Sequence, residues 1–303
     1  MIRVHQALTF LLAFASQAFA EIEILGNYPE GLFIDSGNTF FFAEMTSDRV
    51  EKVENGYRST FFFREGCGPT GVTKLDENRF AIACHQEGSV VVLDNAATVV
   101  IVVKSSVDGK SLRNPNDINA DGLGGAFFSD PGPFSPNAGP VGRVYRLLPD
   151  LSVRLVADEL IYPNGVAYQK GSRQLYVSEH LAKRISVIQL RSDHTSAAEL
   201  KTFFDFKVDS NGYDWRGLTG PDGLRILENG DILVAIYGLS RIVFLHGCNR
   251  QTWLKVPQKF TTSVGYRAGT VGIAGAFTNA RFPFQGMVGM YELSLPSVCD
   301  EED

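Results

Sequence analysis

Residues 112–122 read LRNPNDINADG, and the centre of that stretch, Pro115-Asn116-Asp117, is one member of a series. The others are Pro29-Glu30-Gly31, Pro69-Thr70-Gly71, Pro163-Asn164-Gly165 and Pro221-Asp222-Gly223, their middle positions 40, 46, 48 and 58 residues apart. After each phrase comes a short alternating run, a turn and a second apolar run, as in GVTKLDENRFAIAC (71–84), GVAYQKGSRQLYVSEH (165–180) and GLRILENGDILVAIYG (223–238). Apolar alternation on either side of Asp-Glu-Asn, Lys-Gly or Glu-Asn-Gly predicts β-hairpins. Further strand-like runs, SVVVLD, GRVYRLL, RISVIQL and SRIVFLHG, fill the intervals and give each unit about four strands. Four strands repeated at this spacing are the pattern of a β-propeller.

The expected architecture is therefore all-β, a six-bladed β-propeller with a metal site in its central channel. The mean spacing of 48 residues, set against the 303 − 20 = 283 residues left after the N-terminal leader, gives six units. The sixth is expected to run from about Thr270, at TVGIAGAF, with the early strand EIEILG completing it and closing the ring. Helical periodicity is confined to SAAELKTFF (196–204), read as one or two helical turns between units. A sandwich or barrel is the competing all-β reading, but neither accounts for a recurring phrase.

The first 20 residues, MIRVHQALTFLLAFASQAFA, combine a basic Arg3, a short apolar run and a small-x-small end at Ala18-Phe19-Ala20. That is the form of a secretory signal, leaving 21–303 as a single exported domain, periplasmic or extracellular. No later stretch approaches the roughly 18 apolar residues of a membrane span. The chain carries 28 Lys and Arg against 34 Asp and Glu, with no basic run, which disfavours nucleic acid and anionic membranes as partners. It is expected to act as a monomer on a small molecule. Four cysteines in an exported chain allow two disulfides, and Cys67 with Cys84, flanking one hairpin, is the favoured pair.

In a propeller the first strand of each blade lines the channel, so equivalent residues at its start converge on the axis. The proline fixes φ, and the following glycine or short aspartate lets backbones crowd together. The inward residues are then Glu30, Thr70, Asn116, Asn164 and Asp222. Carboxylates and amide carbonyls gathered on one axis repel or go unsatisfied unless a cation lies between them. Hard oxygen donors without His or Cys select Ca²⁺, Mg²⁺ or Mn²⁺. A site with few protein ligands keeps positions open for chemistry.

The phrases PEGLFID, NPNDINADG, YPNGVAYQKGSRQLYVSEH and GPDGLRILENGDILVAIYG resemble the SMP-30/gluconolactonase/luciferin-regenerating-enzyme family, over roughly residues 25–240. The resemblance implies a six-bladed propeller that hydrolyses lactones with calcium, zinc, magnesium or manganese. It implies Glu30, Asn164 and Asp222 as metal ligands, Asn116 as a ligand or a contact for metal-bound water and substrate, and Asp222 as general base. Animal sugar-lactonase members carry an arginine two residues before the channel asparagine. Here Asn114 stands there, with Arg113 one further away, so both are candidate substrate contacts, as is Thr70. The acidic substrate loop of those members is replaced by DPGPFSPNAGP (130–140), which has no glutamate.

The chemistry implied is attack of an activated water on a polarised lactone carbonyl, with direct attack by Asp222 as the covalent variant. His85 and His180 each close the second strand of an inner hairpin, and that strand is expected to lead away from the ligands; both remain candidate substrate contacts beside a structural role. No Gly-x-Ser-x-Gly occurs to support a serine hydrolase. The alternative function is a non-enzymatic calcium-binding propeller that presents its rim loops to a protein or carbohydrate.

Overall fold

The computed structural model describes residues 22–36, 39–208, 212–247, 250–278 and 284–292. The leader at 1–20 and the cysteines Cys248 and Cys299 lie outside the described residues. Strand β1 (Ile22–Asn27) precedes four separate four-stranded antiparallel sheets. The first is β2 (Pro29–Ser36), β3 (Thr39–Glu44), β4 (Arg49–Glu54) and β5 (Tyr57–Phe63); the second is β6 (Pro69–Asp76), β7 (Arg79–Cys84), β8 (Ser89–Asp94) and β9 (Val99–Val103). The third is β10 (Ile118–Ala120), β11 (Ala126–Asp130), β12 (Gly142–Leu147) and β13 (Val153–Leu160); the fourth is β14 (Pro163–Gln169), β15 (Gln174–Glu179), β16 (Arg184–Leu190) and β17 (Ala197–Asp205).

The remaining strands are β18 (Gly220–Ile226), β19 (Ile232–Tyr237), β20 (Arg241–Leu245), β21 (Gln251–Lys255), β22 (Phe260–Arg267), β23 (Thr270–Ala276) and β24 (Gln285–Glu292). Together with β1 they form one eight-stranded sheet, not the two separate units expected from the spacing. Its halves, β18-β19-β20-β21 and β22-β23-β24-β1, are joined through a single residue pair, Tyr237 with Phe260. The strands β2, β6, β10, β14, β18 and β22 pack against one another in a closed circuit. This is an all-β propeller, and its one described helix is a single 3₁₀ turn at Met45–Ser47.

Two sequence expectations are corrected. SAAELKTFF is the outer strand β17, because its alternation on an exposed edge serves pairing with β16 as well as it would serve a short helix. The last unit begins with β22 at Phe260; TVGIAGA is its second strand, β23. As expected, β1 pairs with β24 in antiparallel register from Ile22↔Met290 to Asn27↔Gln285, joining the two ends of the chain in one sheet.

Hydrophobic clusters lie between neighbouring sheets. Phe41, Val50 and Phe62 of the first sheet pack on Val72, Ile82 and Val91 of the second, and Ile24 of β1 packs with Leu32, Phe42 and Val288 where the circuit closes. Inner and middle strands are buried on both faces, which is why SVVVLD and ILVAIY read as apolar runs, whereas the outer β9 (VVIVV) is largely exposed. The disulfide Cys67–Cys84 spans the start of β6 and the end of β7, as the hairpin reading expected.

Candidate functional site

Four of the phrases open an inner strand and the third directly precedes one, and the pairing is irregular at the middle residue of each phrase. In β14, Pro163 pairs with Glu179 and Val166 with Val177, so Asn164 and Gly165 together face the single Ser178. The same two-against-one count occurs at Glu30-Gly31 in β2 and Asp222-Gly223 in β18, and Thr70 is the extra residue in β6. At the third phrase Asn116 N–H donates to Ser129 O while Ser129 N–H donates to Asp117 O. These are β-bulges, which break the alternation and re-aim one side chain. The last unit has the same irregularity at Thr262, in a Thr-Thr-Ser context that lacks the proline and glycine of the other phrases.

The crowding that glycine permits is visible directly. A Cβ on Gly165 would lie 2.4 Å from Asp222 O, and one on Gly31 would lie 2.5 Å from Thr70 O. Asp117 stands in the glycine place of the third phrase and turns its carboxylate to other uses: Oδ1 accepts from Ile118 N–H, and Oδ2 accepts from Val166 N–H and from Arg225 Nη1 at 3.1 Å. The Thr70 hydroxyl lies 3.2 Å from Pro115 O and 3.0 Å from Asn116 O and ties the second phrase to the third. Thr262 donates likewise to Pro29 O, and Ser129 to Asn164 O.

Glu30, Asn116, Asn164 and Asp222 each occupy the bulged middle position of their phrase, and Glu30 and Asp222 lie close enough to repel. Asn116, Asn164 and Asp222 are buried, and Glu30 is half-buried. Burial and the nearby carboxylates of Asp222 and Asp117 push Glu30 well above the usual carboxylate range. Burial also raises Asp222, opposed by His180. Asp222 Oδ1 is buried with no hydrogen-bond partner. Two mutually repelling acids, an orphaned carboxylate oxygen and two channel amides fit a hard divalent cation. Among the described residues no group of three or more His, Cys, Asp or Glu gathers to hold a metal, and two members of this set, Asn116 and Asn164, are amides.

His180 lies beside these residues, contrary to the expectation that its strand leads away from them. An antiparallel hairpin returns its second strand to the start of the first, so the residue after Glu179 arrives next to Pro163. His180 Nε2 donates to Leu218 O at 2.8 Å, and Nδ1 stands 3.5 Å from Asp222 Oδ2. His85 returns in the same way beside the third phrase: its carbonyl accepts from Asn114 Nδ2 at 3.4 Å, and burial lowers its pKa. The backbone N–H groups of Arg113 and Asn114 donate to the Asp130 carboxylate, which fixes the approach to Asn116, while the Arg113 side chain is exposed.

Of the aromatic wall, the sequence offers Tyr237, after the fifth hairpin, as a candidate rim aromatic, and the rest was missed. Tyr28 and Tyr162 each precede a phrase proline, and both adopt left-handed φ, 53° and 52°, unusual for a bulky residue. Burial and the carboxylates of Glu30 and Asp222 push both phenols far up, so they stay protonated. Tyr28 and Tyr237 hydroxyls lie 3.3 Å apart, and Phe134 of the DPGPF loop packs on Tyr162, His180 and Tyr237 with centroids 4.9, 5.3 and 6.1 Å away. The repeated Tyr-Pro doublet was the available signal.

Residues 28–270 match the SMP-30/gluconolactonase/LRE-like region, a span that takes in all five phrases. The chain belongs to this family. The lactonase drp35 of Staphylococcus haemolyticus is 26% identical over 222 residues, 71% of this chain and 65% of that protein, so the chain spans somewhat under two thirds of its relative's length. Among solved structures, a gluconolactonase from Xanthomonas campestris is 20% identical with a TM-score of 0.69, covering 88% of this chain and 86% of that one. Regucalcin, a calcium-binding protein from Agrobacterium tumefaciens, is 14% identical with a TM-score of 0.71, covering 90% and 94%. These two structures share the family's propeller fold.

Proposed function

We propose that the protein is an exported, calcium-dependent lactonase built as a six-bladed propeller, the eight-stranded sheet counting as two blades linked by one residue pair. The observation that carries this reading is the axial set of Glu30, Asn116, Asn164 and Asp222, with Asp222 Oδ1 unpartnered, in a chain of the SMP-30/gluconolactonase/LRE-like family. Its closest support in kind is the lactonase activity named for the drp35 relative. Export accords with the leader at 1–20 and with the Cys67–Cys84 disulfide.

Glu30, Asn116, Asn164 and Asp222 would hold the ion, with Asn116 also placed to orient the substrate carbonyl. A bound divalent cation supplies polarisation of that carbonyl and offsets the charge that develops on the ring oxygen. Asp222 Oδ1 accepts the proton of the attacking water. His180 lies against the other oxygen, its Nε2–H committed to Leu218 O and its Nδ1 3.5 Å from Asp222 Oδ2, and so holds the carboxylate in position for that transfer. The aromatic wall of Tyr28, Tyr162, Tyr237 and Phe134 keeps bulk water from the site. The products are those of ester hydrolysis, one hydroxy acid per lactone.

The test is turnover of sugar and aliphatic lactones by metal-stripped protein with Ca²⁺, Zn²⁺, Mg²⁺ or Mn²⁺ restored, beside Asp222→Asn. Metal-restored hydrolysis that is lost in the variant supports the reading. Tight calcium binding with no turnover of any lactone overturns it in favour of a binding propeller.

A further inference from the structure

The channel has a second mouth, at the far ends of the same inner strands. There a cavity of ≈ 260 Å³ is lined by residues of all six strands β2, β6, β10, β14, β18 and β22, none of which belongs to the axial set described above. Its walls are apolar at Leu32, Ile34 and Ile226, and its two charged groups are both cationic, Arg225 and Arg267. No Asp or Glu lines it among the described residues.

Arg225 is a largely buried cation with donors to spare. Its side chain is 12% exposed; Nη1 bonds Asp117 Oδ2 and Leu224 O, and Nη2 reaches Leu32 O at 3.4 Å. A guanidinium has five N–H groups, so Nε and one Nη2 proton have no protein acceptor among the described residues. Asn119, on the same wall, adds an amide with no hydrogen bond to another described side chain. Asp117 balances the formal charge from behind and holds the guanidinium in place, which leaves the remaining donors free to meet an acceptor in the cavity.

We propose that this mouth is a binding site for a small organic monocarboxylate, the carboxylate meeting Arg225 and Arg267 and the apolar body lying on Leu32, Ile34 and Ile226. A planar carboxylate matches the fork of a guanidinium, and apolar walls favour an organic anion over a fully hydrated inorganic one. The cavity volume lies below the range typical for drug-sized ligands, which limits the occupant to about the size of a monocyclic acid. The site is independent of the lactonase reading.

Calorimetric titration of the calcium-saturated protein with benzoate, acetate, inorganic phosphate and neutral benzamide tests the proposal. Benzoate is expected to bind more tightly than acetate or phosphate, and benzamide not at all. Arg267→Gln is expected to weaken benzoate about tenfold or more, the effect of one charge-assisted hydrogen bond. Ala120→Leu, which fills the cavity without touching the Asp117–Arg225 pair, should abolish binding with the thermal transition intact. Asp222→Asn should leave benzoate binding unchanged, which separates this mouth from the axial site. Phosphate binding as tightly as benzoate, benzoate binding indifferent to Ala120→Leu, or benzoate binding lost with Asp222→Asn would each overturn the proposal, as would no anion binding at all.

Discussion

Glu30→Gln should make the metal-free protein more stable and the calcium-bound protein less stable. Glu30 is raised by burial first, then by Asp222 and Asp117. Without a cation the folded state therefore holds this proton more tightly than the unfolded chain does. The resulting stability is complete below the ordinary glutamate pKa and is lost as pH rises through the raised folded value. Glutamine keeps the shape and removes that loss. A buried, uncompensated polar group costs about 1–3 kcal/mol, and because Glu30 is only half-buried the lower half of that range applies, about 1–2 kcal/mol. For a chain of this size 1 kcal/mol moves the transition by about 2 °C, so metal-free Glu30→Gln at pH 8 should melt about 2–4 °C above wild type. Calcium at a hundredfold excess over its Kd should add about 2.7 kcal/mol to wild type, near 5 °C, and little to the variant. Thermal unfolding with chelator and with calcium, from pH 4 to 8, reads all of this. A metal-free variant no more stable than wild type at pH 8 refutes the account of the axial carboxylates.

Gly165→Ala drives a methyl to 2.4 Å from Asp222 O, and should cost several kcal/mol in denaturant midpoint, whereas Gly171→Ala, with open space around it, should be near neutral. Reducing Cys67–Cys84 removes a cross-link of 17-residue separation, worth about 3 kcal/mol of chain entropy, measurable as a fall in Tm with reductant. His180→Asn takes away the group beside Asp222 Oδ2 and should lower kcat for lactone hydrolysis by about tenfold or more, with the calcium-induced rise in Tm retained. Equal loss of calcium stabilisation would make His180 a structural residue only.

The repeat was legible because the bulge at the channel imposes the same chemistry on each inner strand: a proline to enter, a re-aimed side chain, and a glycine where backbones nearly touch. Where that chemistry is solved differently, reading failed. Thr261-Thr262-Ser263 makes the same bulge with hydroxyls that bond neighbouring strands, so β22 carries no visible phrase and the last unit was placed one strand late. Asp117 reads as a tolerated glycine substitute, yet its worth lies in Arg225, 108 residues away, a pairing no local pattern encodes. His180 was misplaced through hairpin direction, not through its own identity. The aromatic wall depends on the loop holding Phe134, whose path across the mouth is set by tertiary contacts alone.

Pairing of β1 with β24 carries a consequence for the order in which the molecule can be made. Among the described residues β1, made before every other described strand, finds its one sheet partner at residues 285–290, after all the others. Until then Ile22 and Ile24, which end packed on the closing cluster, belong to an unpaired edge. Synthesis therefore presents a waiting strand that is open to the wrong partner, and completion of the circle is a late, long-range event whose rate falls with chain separation. Removing only Ile22–Asn27 would leave four strands of sequence-local sheet behind each phrase, but no clasp to hold the first of them to the last.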